Sequence, residues 1–310
     1  MTNPVLAEVV RSDFVESVHR GALVITGPEG GVRLALGDVV SPVFPRSSNK
    51  PLQAVGMLRA GLRFSGEDLA LACASHSGEP GHVKRVLELL SAAGLSEDDL
   101  VCPADFPLHV PSMRDAAEPR RVMMNCSGKH AAMLTTCVRA DWPVAEYASP
   151  DHPLQRSLAE AVSSLTGEPI AHTGVDGCGA PLFAFSLTGL ARAFGRIAVA
   201  PGGPEAEVAS AMRAHPWLVA GTGREDTALM SAVEGLVAKG GAEGVQAFAL
   251  PDGFAVAIKM DDGAKRACAP LAVEALRYLG ADVSGLEELR RPVVLGGGQP
   301  VGEVRVPELR

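Results

Sequence analysis

Two strand–turn–strand patterns stand far apart in this 310-residue chain, with a mostly helical stretch between them. No other feature restricts the fold as much. The first pattern is Gly21-Ala22-Leu23-Val24-Ile25-Thr26, a turn over Gly27-Pro28-Glu29-Gly30-Gly31, and a return from Val32 to Leu36. The second runs from Gln246 to Leu250, turns at Pro251-Asp252-Gly253 and returns from Phe254 to Met260. Short apolar, β-branched runs bounded by Gly, Pro and Asp read as hairpins. Between them, helices are expected over 82–94, 131–138, 153–166, 182–194, 204–214 and 226–239. One more helix over 267–279 and one short strand over 302–306 close the chain. Residues 67–79 read as a buried helix turn or short strand ending in a polar cluster, and 172–181 as a polar loop. No repeat and no linker is visible. The expectation is one domain over 1–310 of α/β (α+β) class, with an antiparallel sheet built from both chain ends and flanked by helices.

The chain is 47% hydrophobic and 21% charged, enough apolar content for a substantial core. A net charge of -8 with no basic run argues against nucleic acid or an anionic membrane surface as a partner. The apolar runs are too short to span a bilayer. The first residues lack a basic region followed by an apolar block, so no secretory signal is expected and a cytoplasmic location is. There, the six cysteines are expected as free thiols or metal ligands rather than a disulfide framework.

Residues 46–51 read Arg46-Ser47-Ser48-Asn49-Lys50-Pro51. If a helix starts at Ser47, with Pro51 in its first turn, Ser47 and Lys50 share one face. A neutral lysine amine can take the proton of a serine hydroxyl, and Ser-Lys pairs are a known alternative to Ser-His-Asp. The helix N-terminus favours an oxyanion there. Chance alone explains one such pair, because 20 serines and 6 lysines yield about 0.4 Ser-x-x-Lys pairs in a chain of this length. Lysine scarcity adds weight: only 6 of 28 basic residues are lysine, and arginine cannot serve as a titrating base.

Three further stretches and one lysine bear chemistry. Asn125-Cys126-Ser127-Gly128-Lys129-His130 and Asp176-Gly177-Cys178 hold thiols suited to Zn2+, or else an N-cap turn and a buried thiol. Ser75-His76 reads as a relay, a helix end or a turn. Lys259 falls with Ala255 and Ala257 on one side of a strand, either pointing to the core or reaching water from an edge strand.

In this order, Arg46 to Pro51, Cys73-Ala74-Ser75-His76-Ser77, Asn125 to His130, Asp176-Gly177-Cys178 and Gly221-Thr222-Gly223-Arg224 resemble the L-asparaginase II family, the Rhizobium-type or class 3 asparaginases. The resemblance runs from about residue 7 to the final strand. It implies a fold similar to serine β-lactamases and glutaminases, a homodimer, and hydrolysis of L-asparagine to L-aspartate and ammonia. It implies Ser47 as nucleophile with Lys50 as partner, a second pair of Ser75 and Lys259, and a zinc ion held by Cys126, Lys129 and Cys178. Asp176 is the candidate for the substrate α-amine, with Arg46 and His130 as further substrate-binding candidates. The alternatives are a broader serine amidohydrolase, glutaminase or β-lactamase-like, and a non-catalytic zinc-binding protein. The missing export signal and the missing Lys-Thr-Gly triplet speak against a β-lactamase.

Overall fold

The computed structural model describes residues 2–309. In chain order it contains β1 (Val5–Arg11), β2 (Phe14–Thr26), β3 (Val32–Leu36) and β4 (Pro42–Val43). A 3-10 turn over Arg46–Asn49 leads into α1 (Lys50–Arg59). Then come α2 (Gly66–Ala72), α3 (Pro80–Ala92), α4 (Val110–Asp115), α5 (Ser127–Arg139) and α6 (Pro153–Thr166). The hairpin β5 (His172–Val175) and β6 (Pro181–Ser186) precedes α7 (Leu187–Val199), α8 (Gly203–Ala214), α9 (Pro216–Val219) and α10 (Glu225–Ala232). The chain closes with β7 (Val237–Gly241), β8 (Val245–Ala249), β9 (Ala255–Met260), α11 (Cys268–Tyr278), α12 (Glu287–Arg290), β10 (Val293–Gly296) and β11 (Gln299–Arg305).

The chain packs as two compact units: Met1–Ser48, Phe185–Val199 and Ala228–Arg310 in one, Asn49–Ala184 and Ala200–Thr227 in the other. The crossings near 48, 184, 199 and 227 fall within or directly beside regular elements.

In the first unit the sheet runs β10-β11-β1-β2-β9-β8-β7, with β3 also on β2, and every pairing in it is antiparallel. Both chain ends build it, as expected. β2 explains the order. Its first half pairs with β1, from Arg20 opposite Val5 to Phe14 opposite Arg11. Its second half, Gly21 to Thr26, lies between β9 and β3. That half is a continuous apolar run, buried at every residue, as a strand covered on both faces requires. A Cβ at Gly21 would collide with the Lys259 carbonyl, so glycine is required where β2 changes partner. α7 packs on β2, β8 and β9, and α11 on β8 and β9. Leu187, Leu190, Phe194 and Ile197 of α7 are fully buried, each side chain worth about 1.5–3 kcal/mol.

The second unit is helical apart from the hairpin that pairs His172–Val175 with Pro181–Ala184. Two glycines set its helix contacts. A Cβ on Gly56 of α1 would come 2.9 Å from Leu158 Cδ2 and 3.0 Å from Ala161 Cβ of α6. A Cβ on Gly128 would come 2.7 Å from the Leu71 carbonyl, so the N-terminus of α5 abuts the end of α2. α5 is buried from Ser127 to Cys137 and forms the axis of this unit.

Several expectations change. Residues 182–194 are not one helix: Pro181 to Ser186 is a strand, a run without helical spacing whose Pro181 to Ala184 pair with β5 and whose Phe185 and Ser186 pair with β4, and the helix begins at Leu187. Residues 226–239 divide into α10 and β7 at Gly235, whose φ of 71° ends the helical path. Residues 172–181 are a hairpin rather than a loop, and the closing strand is a β10–β11 hairpin. β1 has no counterpart in the sequence reading. Among the described residues all six cysteines are free thiols, and no helix is long and apolar enough to cross a membrane.

Candidate active site

The 3-10 turn that carries Ser47 is held by two bonds to one acceptor. The Ser48 N–H and the Ser48 hydroxyl donate to the Pro45 carbonyl at 3.2 and 2.7 Å. Arg46 sits at φ 52°, a left-handed conformation that costs a non-glycine residue about 1–3 kcal/mol. The end of β7 fixes it: a Cβ at Gly241 would meet the Pro45 carbonyl at 2.5 Å. The Arg46 guanidinium lies 3.8 Å from Glu243. Ser47 is half-buried on the second residue of this turn, and Pro51 enters the first turn of α1, as the sequence predicts.

Lys50, the first residue of α1, is 1% exposed. Its Nζ donates to the Ala74 carbonyl (2.6 Å), Ser75 Oγ (3.0 Å) and Cys126 Sγ (3.1 Å). Three acceptors surround Nζ, and the second serine of the expected site is one of them. Lys259 Nζ donates to the backbone carbonyls of Glu243 (2.7 Å) and Met260 (2.6 Å). It is the least buried residue of β9, although Ala255 and Ala257 on its side are fully buried. The edge-strand alternative is wrong, since β9 lies between β2 and β8.

The Ser75 segment leaves α2 and is tied on both sides. The Ser75 N–H donates to Val219, the His76 N–H to Asn125, and Ser77 Oγ to Ala220. His76 is no relay for Ser75. Its Nδ1 accepts the Gly78 N–H at 3.1 Å, so Nε2 carries the proton and donates to Ser127 Oγ at 2.9 Å. Ser127 passes its own proton to the Val122 carbonyl at 2.8 Å. Burial first, then the neighbouring His82, Lys50 and Arg224, holds this imidazole well below its ordinary pKa and keeps it neutral.

The second cluster forms where α5 begins and the β5–β6 turn returns. Cys126 precedes α5, and Lys129 and His130 follow on its first turn. Cys178 sits in the turn closed by Asp176 N–H to Ala180 and Gly179 N–H to Asp176. Lys129 Nζ, 2% exposed, donates to Cys178 Sγ at 3.2 Å, and Cys178 Sγ lies 3.6 Å from Asp176 Oδ2. The Cys126 thiol, which donates to Asn125 Oδ1 at 3.0 Å, is the chief neighbour lowering the pKa of Cys178; burial opposes this and Lys129 reinforces it. Cys126 moves the other way, raised by Cys178 and by burial. The two thiols are therefore pushed in opposite directions, Cys178 toward the thiolate and Cys126 toward the thiol. Burial alone would lower Lys129, but Cys178, Cys126 and Asp176 push it up to about 12. Tyr147 OH accepts the Val101 N–H at 3.2 Å and donates to His130 Nδ1 at 2.7 Å. His130 Nε2 is left buried beside Cys178 without a well-formed hydrogen bond.

Two sulfurs and the lysine between them form a donor set that suits a soft-to-borderline cation such as Zn2+. Among the described residues no group of three or more His, Cys, Asp or Glu side chains is gathered as a metal shell, so the third protein ligand would be Lys129.

Glu79 escaped the sequence reading. It accepts the Thr222 N–H at 2.7 Å and Thr222 Oγ1 at 2.8 Å, which lower its pKa against the opposing effect of burial. Its place four residues after Ser75 was visible; its partner 143 residues away was not.

A family model described as L-asparaginase II matches residues 7–306. No curated protein sequence matches the chain. Among solved structures, a β-lactamase from Mycobacterium bovis is 16% identical over 79% of this chain and 88% of its own, with a TM-score of 0.40. The protein Mglu in its native form is 15% identical over 90% of this chain and 68% of its own, with a TM-score of 0.45. At those scores neither likeness bears on what this chain does.

Proposed function

The chain belongs to the L-asparaginase II family, and from that premise we propose that it hydrolyses L-asparagine to L-aspartate and ammonia with Ser47 as nucleophile. Membership makes it an amidohydrolase-type enzyme; the substrate and the residue roles are the proposal. One observation carries it: the buried Lys50 amine is held between Ser75 Oγ and Cys126 Sγ, three residues along the chain from Ser47.

Lys50 takes the Ser47 proton as the hydroxyl attacks the side-chain amide carbon. The Ala74 carbonyl and Ser75 Oγ keep the amine aimed while it gains and loses that proton. Ser75, already hydrogen-bonded to Lys50, passes the proton to the leaving ammonia, with Lys259 as its second amine partner. Water then cleaves the β-aspartyl ester, and the same groups work in reverse. Asp176 receives the substrate α-ammonium, with Arg46 and His130 as further substrate-binding residues. Zn2+, when bound by Cys126, Cys178 and a deprotonated Lys129, would supply a fixed positive charge that orders the 126 and 178 turns. The working form is a homodimer in the cytoplasm; sedimentation at micromolar protein checks the dimer, and a monomer there refutes it.

Ammonia release from L-asparagine tests the reading. Ser47→Ala is expected to lose at least about 10³-fold in kcat/KM. Ammonia release unchanged in Ser47→Ala removes the nucleophile. Equal turnover of L-glutamine broadens the substrate, since one methylene is worth only about 1–3 kcal/mol.

A further inference from the structure

The loop from Val219 to Arg224 is bound to residues 75–79 at Val219, Ala220, Thr222 and Arg224. Val219 accepts the Ser75 N–H at 3.0 Å and Ala220 accepts Ser77 Oγ at 2.9 Å. Gly221, at φ 122°, approaches so closely that a Cβ there would lie 2.6 Å from Ser77 Oγ and 2.7 Å from Glu79 Oε1. Thr222 is held twice by Glu79, and its hydroxyl accepts Trp217 Nε1 at 3.1 Å. The loop ends on Arg224, whose Nη1 donates to Ser77 Oγ at 3.3 Å.

That guanidinium is half-buried, and among the described residues no carboxylate lies within ion-pair distance of it. Arg192 is also half-buried and bonded to a backbone carbonyl, that of Gly30 at 3.0 Å, but three other tethered arginines have counter-charges. Arg85 has Asp68, Glu67 and Glu88; Arg290 has Glu274 and Glu287. Arg46 has Glu243. An arginine removed from water without a counter-charge is costly, and its planar fork matches a carboxylate in two parallel bonds. One of five N–H donors is spent on Ser77. His76 lies within electrostatic reach of both Lys50 and Arg224, which places both cations around the same short segment.

We propose that Arg224 binds the α-carboxylate of the substrate, so that the site selects a free amino-acid amide over the same side-chain amide inside a peptide. This rests on the amidohydrolase reading and deepens it. Arg224 is a binding residue here and takes no part in proton transfer.

The test compares L-asparagine with L-asparagine α-methylamide, which keeps the side-chain amide and lacks the carboxylate. Wild type is expected to favour L-asparagine. Arg224→Met is expected to raise KM for L-asparagine by about 10- to 100-fold, with kcat and the α-methylamide rate nearly unchanged. Arg224→Lys keeps the charge without the fork and recovers part of the loss; it also serves if Arg224→Met does not fold. An equal loss on both substrates assigns Arg224 to holding Ser77 in place and overturns the proposal, as does an unchanged KM for L-asparagine. If wild type releases ammonia from neither compound, the amidohydrolase reading has failed. The anchor is then read from heat-stability midpoints: L-aspartate must stabilise wild type and leave Arg224→Met unmoved. Equal shifts, or none in either protein, overturn it.

Discussion

The sheet unit and the helical unit bury different things. In the sheet, β7 and β8 are buried along their whole length, and the buried polar groups are few and scattered: His19, Thr26, Lys239 and Gln246 among them. In the helical unit buried titratable groups crowd around the start of α5 and the exit of α2: Lys50, His76, His82, Cys126, Lys129, His130 and Cys178. A core of Leu, Phe, Ile and Ala stabilises without specifying chemistry. A core of hydrogen-bonded cations and thiols sacrifices stability, because each charge must be desolvated. The contrast teaches where to look for activity and where for stability.

The largest expected effect tests that division directly. Lys50→Met is expected to reduce ammonia release by about 10³-fold or more while leaving unfolding by urea near wild type, since a buried amine is replaced by an apolar group of similar length. A loss of several kcal/mol of stability in Lys50→Met would break the comparison. In the sheet unit the effects should be reversed. Phe194→Ala is expected to cost about 3–5 kcal/mol of stability, measured by urea unfolding, with activity per folded molecule unchanged. Gly128→Ala lies between the two, because its Cβ would meet the Leu71 carbonyl at 2.7 Å. It should cost about 1–3 kcal/mol and also reduce zinc uptake by shifting Cys126 and Lys129; unchanged uptake would separate the helix contact from the thiol cluster.

The smallest effect is one of pH. His76 and His82 both have folded pKa values below the ordinary histidine value, chiefly through burial. The folded protein keeps them neutral while the unfolded chain takes up their protons. Their contribution is therefore complete above about pH 6.5 and is lost as pH falls below it, by up to about 1.4 kcal/mol per pH unit for each proton. Urea unfolding between pH 7.5 and 5.5 should show that slope in wild type and a shallower one in His76→Asn. Equal slopes would mean that His76 titrates freely in the folded state.

How much was legible depended on whether a signal was local. The 251–253 turn and the helix Pro153–Thr166 followed from short-range pattern. Pro181 to Ser186 was misread because an apolar run of six fits a buried helix or strand equally well, and only its partner at 172–175 decides. Ser47 and Lys50 were legible as neighbours in sequence. That Lys50 reaches Ser75 and Cys126, 25 and 76 residues on, was not, because it depends on α1, α2 and α5 packing through Gly128 and its neighbours. Arg224 appeared only as the end of a Gly-Thr-Gly motif; its missing counter-charge is a property of the fold.

The sheet also has a schedule. Val9 pairs with Val304 and Gly21 with Met260, so β1 and β2 leave the ribosome long before their neighbours exist. At roughly 5–20 residues per second, the apolar half of β2 waits on the order of 10–50 s for β9. During that time the helical unit, which is nearly contiguous, can be completed while the first strands stand as open edges. A nascent chain halted near residue 230 should therefore yield a protected α5 and an unprotected β2, and that interval is when this protein most needs a chaperone.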